Sequence, residues 1–404
     1  MDTCNGIDDD NDQSFDEDGW AVAEVTRNAL TTDAPSFVRV SVAAATGGFV
    51  AAYSAYCSGN SSDVFVNFIR LDGTYVLATG PCAAVRGRDA YLSPSDRSRH
   101  PWITSDGAGR AGLVWTEETL GGAELVAAEL ALDVNNTTNP VNVVDTLQVR
   151  PVHSRFGSVN AYGGVAVAPD GLLTALTGGV DLLDEQVYVQ RLTRPGADLV
   201  VNGDAQIHPS TEGEATLAAL PDGYVVAFTD AYTLYAQALS PSGQPLGTDT
   251  LLQVDRGDPL TPWELIALPL EGNRAVISWY EPTDGANWHI RFAVLTLTTR
   301  ELRLLGGSIP TPADRGYFGA AYVGGDELVV SATSPTTQKL VLYRVDLNTG
   351  TTCGSPVTLE SATDAGHSAV AFKDGKLLVA WHKGGDQPAD QNSVLTVKLD
   401  RTGP

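Results

Sequence analysis

Short apolar runs recur along this chain, and a turn signal stands directly before seven of them. Most of these turns pair glycine with Asp or Asn, residue types that tolerate the backbone of a tight turn. The turns are Gly47-Gly48, Asp106-Gly107, Asp170-Gly171, Asp222-Gly223, Gly272-Asn273, Gly325-Asp326 and Asp374-Gly375. The runs after them cover residues 49–56, 111–116, 172–176, 224–229, 274–280, 327–332 and 376–382. We predict that each run is a β-strand that follows a hairpin turn.

The interval between these turns, about fifty residues, is typical of a β-propeller. A blade of short strands cannot bury both of its faces alone, so it packs against its neighbours. Regular alternation predicts a third strand in each repeat, as at 64–69, 187–192 and 340–345. The predicted fold class is therefore all-β, a seven-bladed β-propeller. A six-bladed ring stays open as an alternative, and it would require two of the seven hairpins to merge.

The two ends of the chain are expected to meet. The last repeat stops after its third strand, at 393–399, whereas the stretch 20–26 precedes the first full repeat without a partner. We predict that this N-terminal strand pairs with the C-terminal blade and closes the ring, which removes two open sheet edges. The predicted domains are an acidic loop at 1–19 and the propeller at 20–404.

Charge and hydropathy exclude two kinds of partner. The formal net charge of −24 argues against nucleic acid, because phosphate contacts require clustered cations. No apolar run approaches the ~20 residues that cross a bilayer, so we predict no membrane span. The first residues lack the basic and apolar regions of a signal peptide. Either the protein is cytosolic or an export signal has been removed. Because of the cysteines described below, we expect a secreted, periplasmic or cell-surface protein whose export signal has been removed.

The N-terminal segment alternates carboxylates with no basic residue among them. Calcium takes six to eight oxygen ligands, and Asp8, Asp10, Asp12 and Asp16 have the spacing of a calcium loop. The segment resembles the calcium loops of thrombospondin type 3 repeats. It resembles more closely the MopE-type metal-binding motif, which begins Cys-Asn-Gly-x-Asp-Asp-Asp, as residues 4–10 do here. Asn11 and Gln13 depart from that motif, and a solvated acidic tail is the alternative.

The four cysteines allow three pairings, and the predicted order of strands selects one of them. Cys57 and Cys82 belong to the upper side of the first blade. Cys4 and Cys353 belong to the lower side, near the ring closure. Two such disulfides imply an oxidising compartment, whereas four free thiols remain the alternative.

The connections between blades gather arginines and aromatic residues on one face of the ring, which we take to be the upper face. A positive mouth on an acidic protein suits a carboxylate, sulfate or phosphate group, and aromatic rings can stack on sugars. The candidate ligand-binding residues are Arg86, Arg88, Arg97, Arg99, Trp102, Arg155, Arg256, Trp263, Arg315 and Tyr317. The alternative is that these arginines pair with the aspartates beside them in sequence and join the blades.

Two sets of residues suggest enzyme chemistry. His100, His153, His208 and His367 fall where inner strands are expected to begin, so they could surround the axis and hold a transition metal. Paired carboxylates of a glycosidase or lyase could come from Glu117, Glu118, Glu281 and Asp284. The simpler interpretation of the first set is histidines with ordinary hydrogen bonds. The simpler interpretation of the second set is acidic surface loops.

These patterns predict a calcium-stabilised, disulfide-bonded binding module rather than an enzyme. Its ligand would be a glycan, a peptide or a small anionic molecule at the upper mouth of the central channel. The alternative functions are a polysaccharide hydrolase or lyase that uses upper-face carboxylates, and an oxidoreductase with a histidine-bound metal.

Overall fold

The computed structural model describes residues 20–29, 35–58, 61–76, 97–119, 122–136, 140–152, 163–178, 186–209, 214–230, 233–247, 263–282, 287–312, 318–334, 336–337, 339–363, 365–383 and 392–401. Within these ranges the regular structure consists of β-strands. No helix in the described part of the chain is long and apolar enough to span a membrane. The all-β class predicted from the alternating pattern is therefore confirmed.

The strands follow one another with short turns between most neighbours. They are β1 (Trp20–Ala29), β2 (Pro35–Ala45), β3 (Gly48–Ser58), β4 (Ser61–Arg70), β5 (Tyr75–Val76), β6 (Arg97–Ser105), β7 (Arg110–Thr119), β8 (Gly122–Leu132), β9 (Val141–Val152), β10 (Gly163–Ala168), β11 (Gly171–Gly178), β12 (Gln186–Thr193), β13 (Val200–Pro209) and β14 (Ala215–Leu220). The second half contains β15 (Gly223–Asp230), β16 (Thr233–Leu239), β17 (Trp263–Leu270), β18 (Arg274–Pro282), β19 (Asn287–Thr296), β20 (Glu301–Leu304), β21 (Ile309–Pro312), β22 (Phe318–Gly324), β23 (Glu327–Thr333), β24 (Lys339–Asp346), β25 (Thr352–Thr363), β26 (Ala365–Lys373), β27 (Lys376–Lys383) and β28 (Asn392–Arg401).

All seven predicted hairpins are present as antiparallel pairs, each with its turn at the expected place. The first strands of these hairpins, here called the inner strands, are β2, β6, β10, β14, β17, β22 and β26. Each inner strand contacts the next, and β26 contacts β2, so the inner strands form a ring. The chain is a β-propeller, with each sheet running outward from this ring.

The strands form six hydrogen-bonded sheets, so the prediction of seven separate blades is wrong in its count. One sheet has eight strands and contains two of the predicted repeats, β2–β5 and β6–β9. They are joined by one parallel residue pair, Ser62 with Arg97, at the start of β4 and of β6. The six-blade alternative, in which two hairpins merge, describes this connectivity.

The predicted closure of the ring is confirmed. β1 pairs antiparallel with β28, from Trp20 opposite Arg401 to Ala29 opposite Ser393. The sheet that results has the order β1-β28-β27-β26, so its outer strand comes from the opposite end of the chain. Lys376 adds a hydrogen bond between the last sheet and the first, since its Nζ donates to the Leu71 carbonyl at 2.6 Å.

Successive residues of an inner strand pack alternately against the preceding and the following sheet. In β10, Val165 belongs to a cluster with Val114 of β7, whereas Ala166 belongs to a cluster with Val226 of β15. Both faces of the strand are therefore buried, which explains why the middle of β10 is apolar. Trp115, Trp279 and Trp381 occupy three of these interfaces and are at most 1% exposed.

Polar contacts join neighbouring sheets at the hairpin turns. Arg110 of β7 donates to the carbonyls of Ala168 and Gly171 at the next turn, and its guanidinium pairs with buried Glu129 at 2.9 Å. Arg274, at the start of β18, likewise pairs with Asp326 of the next hairpin turn at 3.2 Å. The described arginines that join sheets therefore lie at the turns. The aspartates proposed to pair with arginine on the upper face, such as Asp89 and Asp255, lie outside the described residues.

Of the four cysteines, Cys353 in β25 is disulfide-bonded. Cys57 lies near the end of β3, and Cys4 and Cys82 lie outside the described residues. The two predicted pairings, Cys57 with Cys82 and Cys4 with Cys353, stay predictions. The predicted acidic loop at 1–19 also lies outside the described residues.

Close approach of inner strands leaves no space for a side chain at Gly164. A Cβ there would lie 2.6 Å from the backbone nitrogen of Leu217 in β14. We expect Gly164→Ala to lower the free energy of unfolding by about 1–3 kcal/mol, because the added methyl group forces two backbones apart. Denaturant titration measures the difference. Gly196→Ala is the matched control, since nothing lies within 4 Å of its Cβ; equal effects of the two changes would contradict this account of the packing.

Candidate ligand site at the mouth of the central channel

A cavity of about 550 Å³ runs along the axis of the ring and is lined by all seven inner strands. We call the end where the inner strands begin the loop end, and the end at the hairpin turns the turn end. Toward the turn end the lining is mostly apolar and includes Ala44, Thr104, Val167, Ala219, Leu268, Tyr322 and Phe372. At the loop end it includes Val40, Glu264, Phe318, His367 and Ser368. The lining is thus mostly apolar, with the Glu264 carboxylate and the His367 imidazole at the loop end and the Asp106 carboxylate at the turn end.

Tyr322 is neutral at the turn end. Burial raises the pKa of the Tyr322 phenol, and the charge of Glu271 adds to this. Its hydroxyl donates to the Gly325 carbonyl at 2.9 Å, within its own hairpin turn. The tyrosine therefore contributes an apolar ring to the channel while its hydroxyl is satisfied by the turn.

Trp102 spans the channel. It lies in β6 and packs against the cluster beside its own strand, which contains Val114 and Val165. It also packs against the cluster on the opposite side of the ring, which contains Ile266 and Phe318. The indole is only partly buried, and it forms an aromatic floor beneath the loop end.

Glu264 and His367 form a buried pair above this floor. The Oε1 atom of Glu264 lies 3.3 Å from Nε2 of His367, and the two side chains are 2% and 3% exposed. Glu264 belongs to β17 and His367 to β26, so the pair joins two inner strands that are separated by β22 in the ring. It is an ion pair whenever the imidazole is protonated.

The backbone of β17 is strained where it places Glu264. Its φ angle is +59°, in the left-handed region that non-glycine residues rarely adopt. The register against β18 shifts between Trp263 and Leu265, which marks a β-bulge. Strain of this kind costs roughly 1–3 kcal/mol and persists only where the surroundings enforce it.

Glu214 is the residue that holds this bulge. Its Oε2 accepts a hydrogen bond of 2.9 Å from the backbone amide of Leu265, directly after Glu264. Glu214 is itself held by Thr229, whose Oγ1 accepts from the Glu214 amide at 2.9 Å. The carboxylate is 7% exposed and comes from the sheet before that of β17. Two buried glutamates from neighbouring sheets therefore shape the loop end together.

The predicted ligand-binding residues are placed as follows. Trp102 lines the channel, Trp263 begins β17, and Arg97 and Arg99 belong to β6 rather than to a connection. The rest lie outside the described residues, namely Arg86, Arg88, Arg155, Arg256, Arg315 and Tyr317. Of the whole predicted set, Trp102 is the residue whose side chain is described at the channel.

The four histidines of the predicted cluster are placed as follows. His100 and His367 lie near the start of the inner strands β6 and β26, as expected. His208 was wrongly assigned, since it lies in the outer strand β13 opposite Val187. β13 extends to Pro209, so the next inner strand begins after the point that the sequence suggested. His153 lies outside the described residues, and no group of three metal-binding side chains occurs among the residues described.

Two of the four predicted carboxylates, Glu117 and Glu281, have structural partners away from the channel. Glu118 belongs to β7, and Asp284 lies outside the described residues. Trp115 Nε1 donates to Glu117 at 3.0 Å, and Trp279 Nε1 donates to Glu281 at 2.6 Å. Arg291 also pairs with Glu281 at 3.4 Å. Neither glutamate is among the residues that line the cavity. Each glutamate therefore holds the indole of the buried tryptophan that lies two residues before it in the sequence.

Comparison with known proteins gives a likeness of fold. No family model and no curated protein matches the chain. A solved polysaccharide lyase, Uly1, is 12% identical, with 92% of this chain and 91% of that chain covered and a TM-score of 0.50. The GH93 α-L-arabinofuranosidase of Fusarium graminearum is 12% identical over 77% of this chain and 95% of that chain, with a TM-score of 0.47. Trypanosoma rangeli sialidase is 11% identical over 95% of this chain and 59% of that chain, with a TM-score of 0.45.

The role of Glu214 in holding the bulge can be tested directly. We expect Glu214→Ala to lower the free energy of unfolding by about 1–3 kcal/mol, because it leaves the buried Leu265 amide without this acceptor. Glu214→Gln keeps an oxygen acceptor and should cost clearly less. Denaturant titrations of the two variants measure the difference. Equal losses would mean that the hydrogen bond to Leu265 does not carry the effect.

Proposed function

We propose that this protein is a carbohydrate-binding propeller whose ligand enters the loop end of the central channel. One observation carries the proposal: the aromatic side chain of Trp102 and the buried Glu264–His367 pair line the same, mostly apolar channel. Sugars present both hydroxyl groups and apolar ring faces. A site with a few polar groups among apolar and aromatic side chains matches that chemistry.

Two further points support a carbohydrate. The solved structure with a TM-score of 0.50 is a polysaccharide lyase, which makes polysaccharides the ligand class to test first. The sequence also places Arg86, Arg88, Arg99 and Arg155 in or beside connections that lead to inner strands. Guanidinium groups bind carboxylate or sulfate on an anionic glycan. We therefore propose an anionic glycan as the preferred ligand. The disulfide bond of Cys353 supports the further proposal that the protein is secreted, since disulfides persist in oxidising compartments.

Cleavage of the bound glycan is a second candidate function. The observation that favours it is the strained, buried Glu264 in contact with an imidazole, because strained residues cluster at functional sites. Glu117 and Glu281, whose carboxylates accept from tryptophan, do not favour it.

Calcium at the N-terminus remains part of the proposal. Asp8, Asp10, Asp12 and Asp16 supply hard oxygen ligands at the spacing of a calcium loop. The role proposed for the ion is structural, since the predicted disulfide between Cys4 and Cys353 would hold this loop near the ring closure.

Trp102 gives the sharpest test of binding. Isothermal titration of the protein with sodium polygalacturonate, sodium alginate and arabinan identifies which polymer binds. We expect Trp102→Ala to weaken binding by about 2 kcal/mol or more, since an aromatic anchor that contacts the ligand commonly contributes that much, and this corresponds to about a thirtyfold higher Kd.

The matched control is Trp288→Ala. Trp288 also packs against the cluster that contains Ile266 and stacks on Tyr280 with ring centroids 4.6 Å apart, but it does not line the cavity. Its loss should leave Kd within about twofold. A wild-type protein that binds none of the polymers, or equal effects of the two variants, would contradict the proposed site.

Metal analysis tests the N-terminal loop. We expect about one calcium ion per purified chain and a lower melting temperature after treatment with EGTA, because bound ligand stabilises the folded state. The double change Asp8→Asn and Asp10→Asn should abolish both effects. A chain that holds no calcium and melts at the same temperature with and without EGTA would refute the site.

A further inference from the structure

Three buried ionisable side chains form a connected set at the loop end. Glu214 accepts from the Leu265 amide, the adjacent residue Glu264 is held at a φ of +59°, and its carboxylate lies 3.3 Å from His367. None of the three is more than 7% exposed. Burying charged groups costs free energy of folding, so three buried ionisable side chains at one end of the channel suggest a function there.

We propose that Glu264 and His367 act as one proton-transfer unit on a bound uronic-acid polysaccharide, and that Glu214 is their positioning residue. This inference rests on the proposed carbohydrate-binding function and adds a reaction to it. Both members of the pair line the cavity while being shielded from water. Exclusion of water strengthens electrostatic interactions between a bound substrate and such a pair.

The contact between Glu264 and His367, 3.3 Å apart, suggests which reaction the pair would catalyse. Glycoside hydrolysis by carboxylates uses two proton-transfer groups on opposite sides of the bond, about 5–5.5 Å or 6.5–9.5 Å apart. Glu264 and His367 are in contact and handle a proton together. A single unit suffices for β-elimination, which uses no water.

The elimination can be written with every atom accounted for. The neutral imidazole of His367 takes the proton from the ring carbon next to the uronate carboxyl group, and the C–H electron pair forms a carbon–carbon double bond. The C–O bond to the neighbouring sugar breaks as the double bond forms. The imidazolium, stabilised by Glu264, then gives its proton to the departing oxygen. The chain is cut, and His367 and Glu264 return to their starting state.

The substrate class follows from this chemistry. In a polysaccharide the ring C–H bond that is acidic enough for this step is the one next to a uronate carboxyl group, so the proposed substrate contains uronic acid. Charge that develops on that carboxyl group requires a nearby cation. β6 begins at the loop end and carries Arg97 and Arg99 just before His100. A neutral glycan such as arabinan has no such proton to lose.

Glu214 acts through Glu264. Its hydrogen bond to Leu265 sets the bulge, and the bulge sets the direction of the Glu264 carboxylate. Loss of this bond should lower kcat while leaving KM unchanged, because the mouth and Trp102 are not altered. Glu214→Gln keeps the acceptor and should restore most of the rate. A residue with a purely structural role would not separate kcat from KM in this way.

The experiment incubates the full chain with sodium polygalacturonate, sodium alginate and arabinan. It follows the ultraviolet absorbance of the conjugated double bond and counts new reducing ends. We expect absorbance and reducing ends to rise together on a uronate polymer and neither to rise on arabinan. Glu264→Gln and His367→Asn should each lower kcat by roughly 10²–10⁴-fold.

Glu281→Gln is the matched control, since it changes a buried carboxylate that bonds Trp279 away from the cavity. It should keep the rate, and thermal melts confirm that each variant is folded. Reducing ends without absorbance would overturn elimination. Binding without either product would overturn this inference and leave the proposed binding function standing, whereas no binding would overturn both. Folded Glu264→Gln with full activity would also overturn it.

Discussion

The pairing of β1 with β28 is the constraint on which the rest of this structure depends. It makes the first and last parts of the chain one sheet, and the ring has no free end among the inner strands. Each interface between sheets buries apolar side chains from both partners, and no sheet can be removed without exposing two such interfaces. The hydrophobic effect thereby acts around the whole ring, and the contact between Lys376 and Leu71 supports the closure at the turn end.

A closed ring also explains the channel and its mouth. The inner strands are held too close for side chains at Gly164, yet they leave a cavity of about 550 Å³ on the axis. Because these strands run parallel to one another around the axis, their first residues all reach the loop end. Residues far apart in sequence, such as Glu264 and His367, can then meet over Trp102. The bulge in β17 lies at Glu264 and places this strand residue in the site.

Much of the fold could be predicted from alternation and turns. Turn dipeptides such as Asp222-Gly223 mark hairpins through local backbone chemistry, so all seven were found. The closure followed from a strand without a partner at each end. The count of sheets could not be predicted, because it depends on one parallel pair between Ser62 and Arg97. His208 was misplaced because nothing in its own neighbourhood shows that β13 continues to Pro209.

The site was harder to predict than the fold. His367 was found because it lies near the start of an inner strand, and Trp102 because it is an aromatic residue after an arginine-rich stretch that was expected to connect two blades. Glu214 and Glu264 were missed, since neither belongs to a motif and both were hidden among acidic residues in a chain of net charge −24. In the structure, the bulge distinguishes Glu264 from the other acidic residues, and the hydrogen bond to the Leu265 amide distinguishes Glu214. The one local signal was an acid directly before an apolar run, at Glu214-Ala215 and Glu264-Leu265.

The central claim is that a carbohydrate binds at the loop end of the channel. Hydrogen–deuterium exchange with and without a bound polysaccharide tests it most directly, because it maps the contact along the whole chain. The account predicts slower exchange at the starts of β6, β17 and β26 and no change at the hairpin turns. Protection confined to the turns or to outer strands such as β9 and β13 would contradict it.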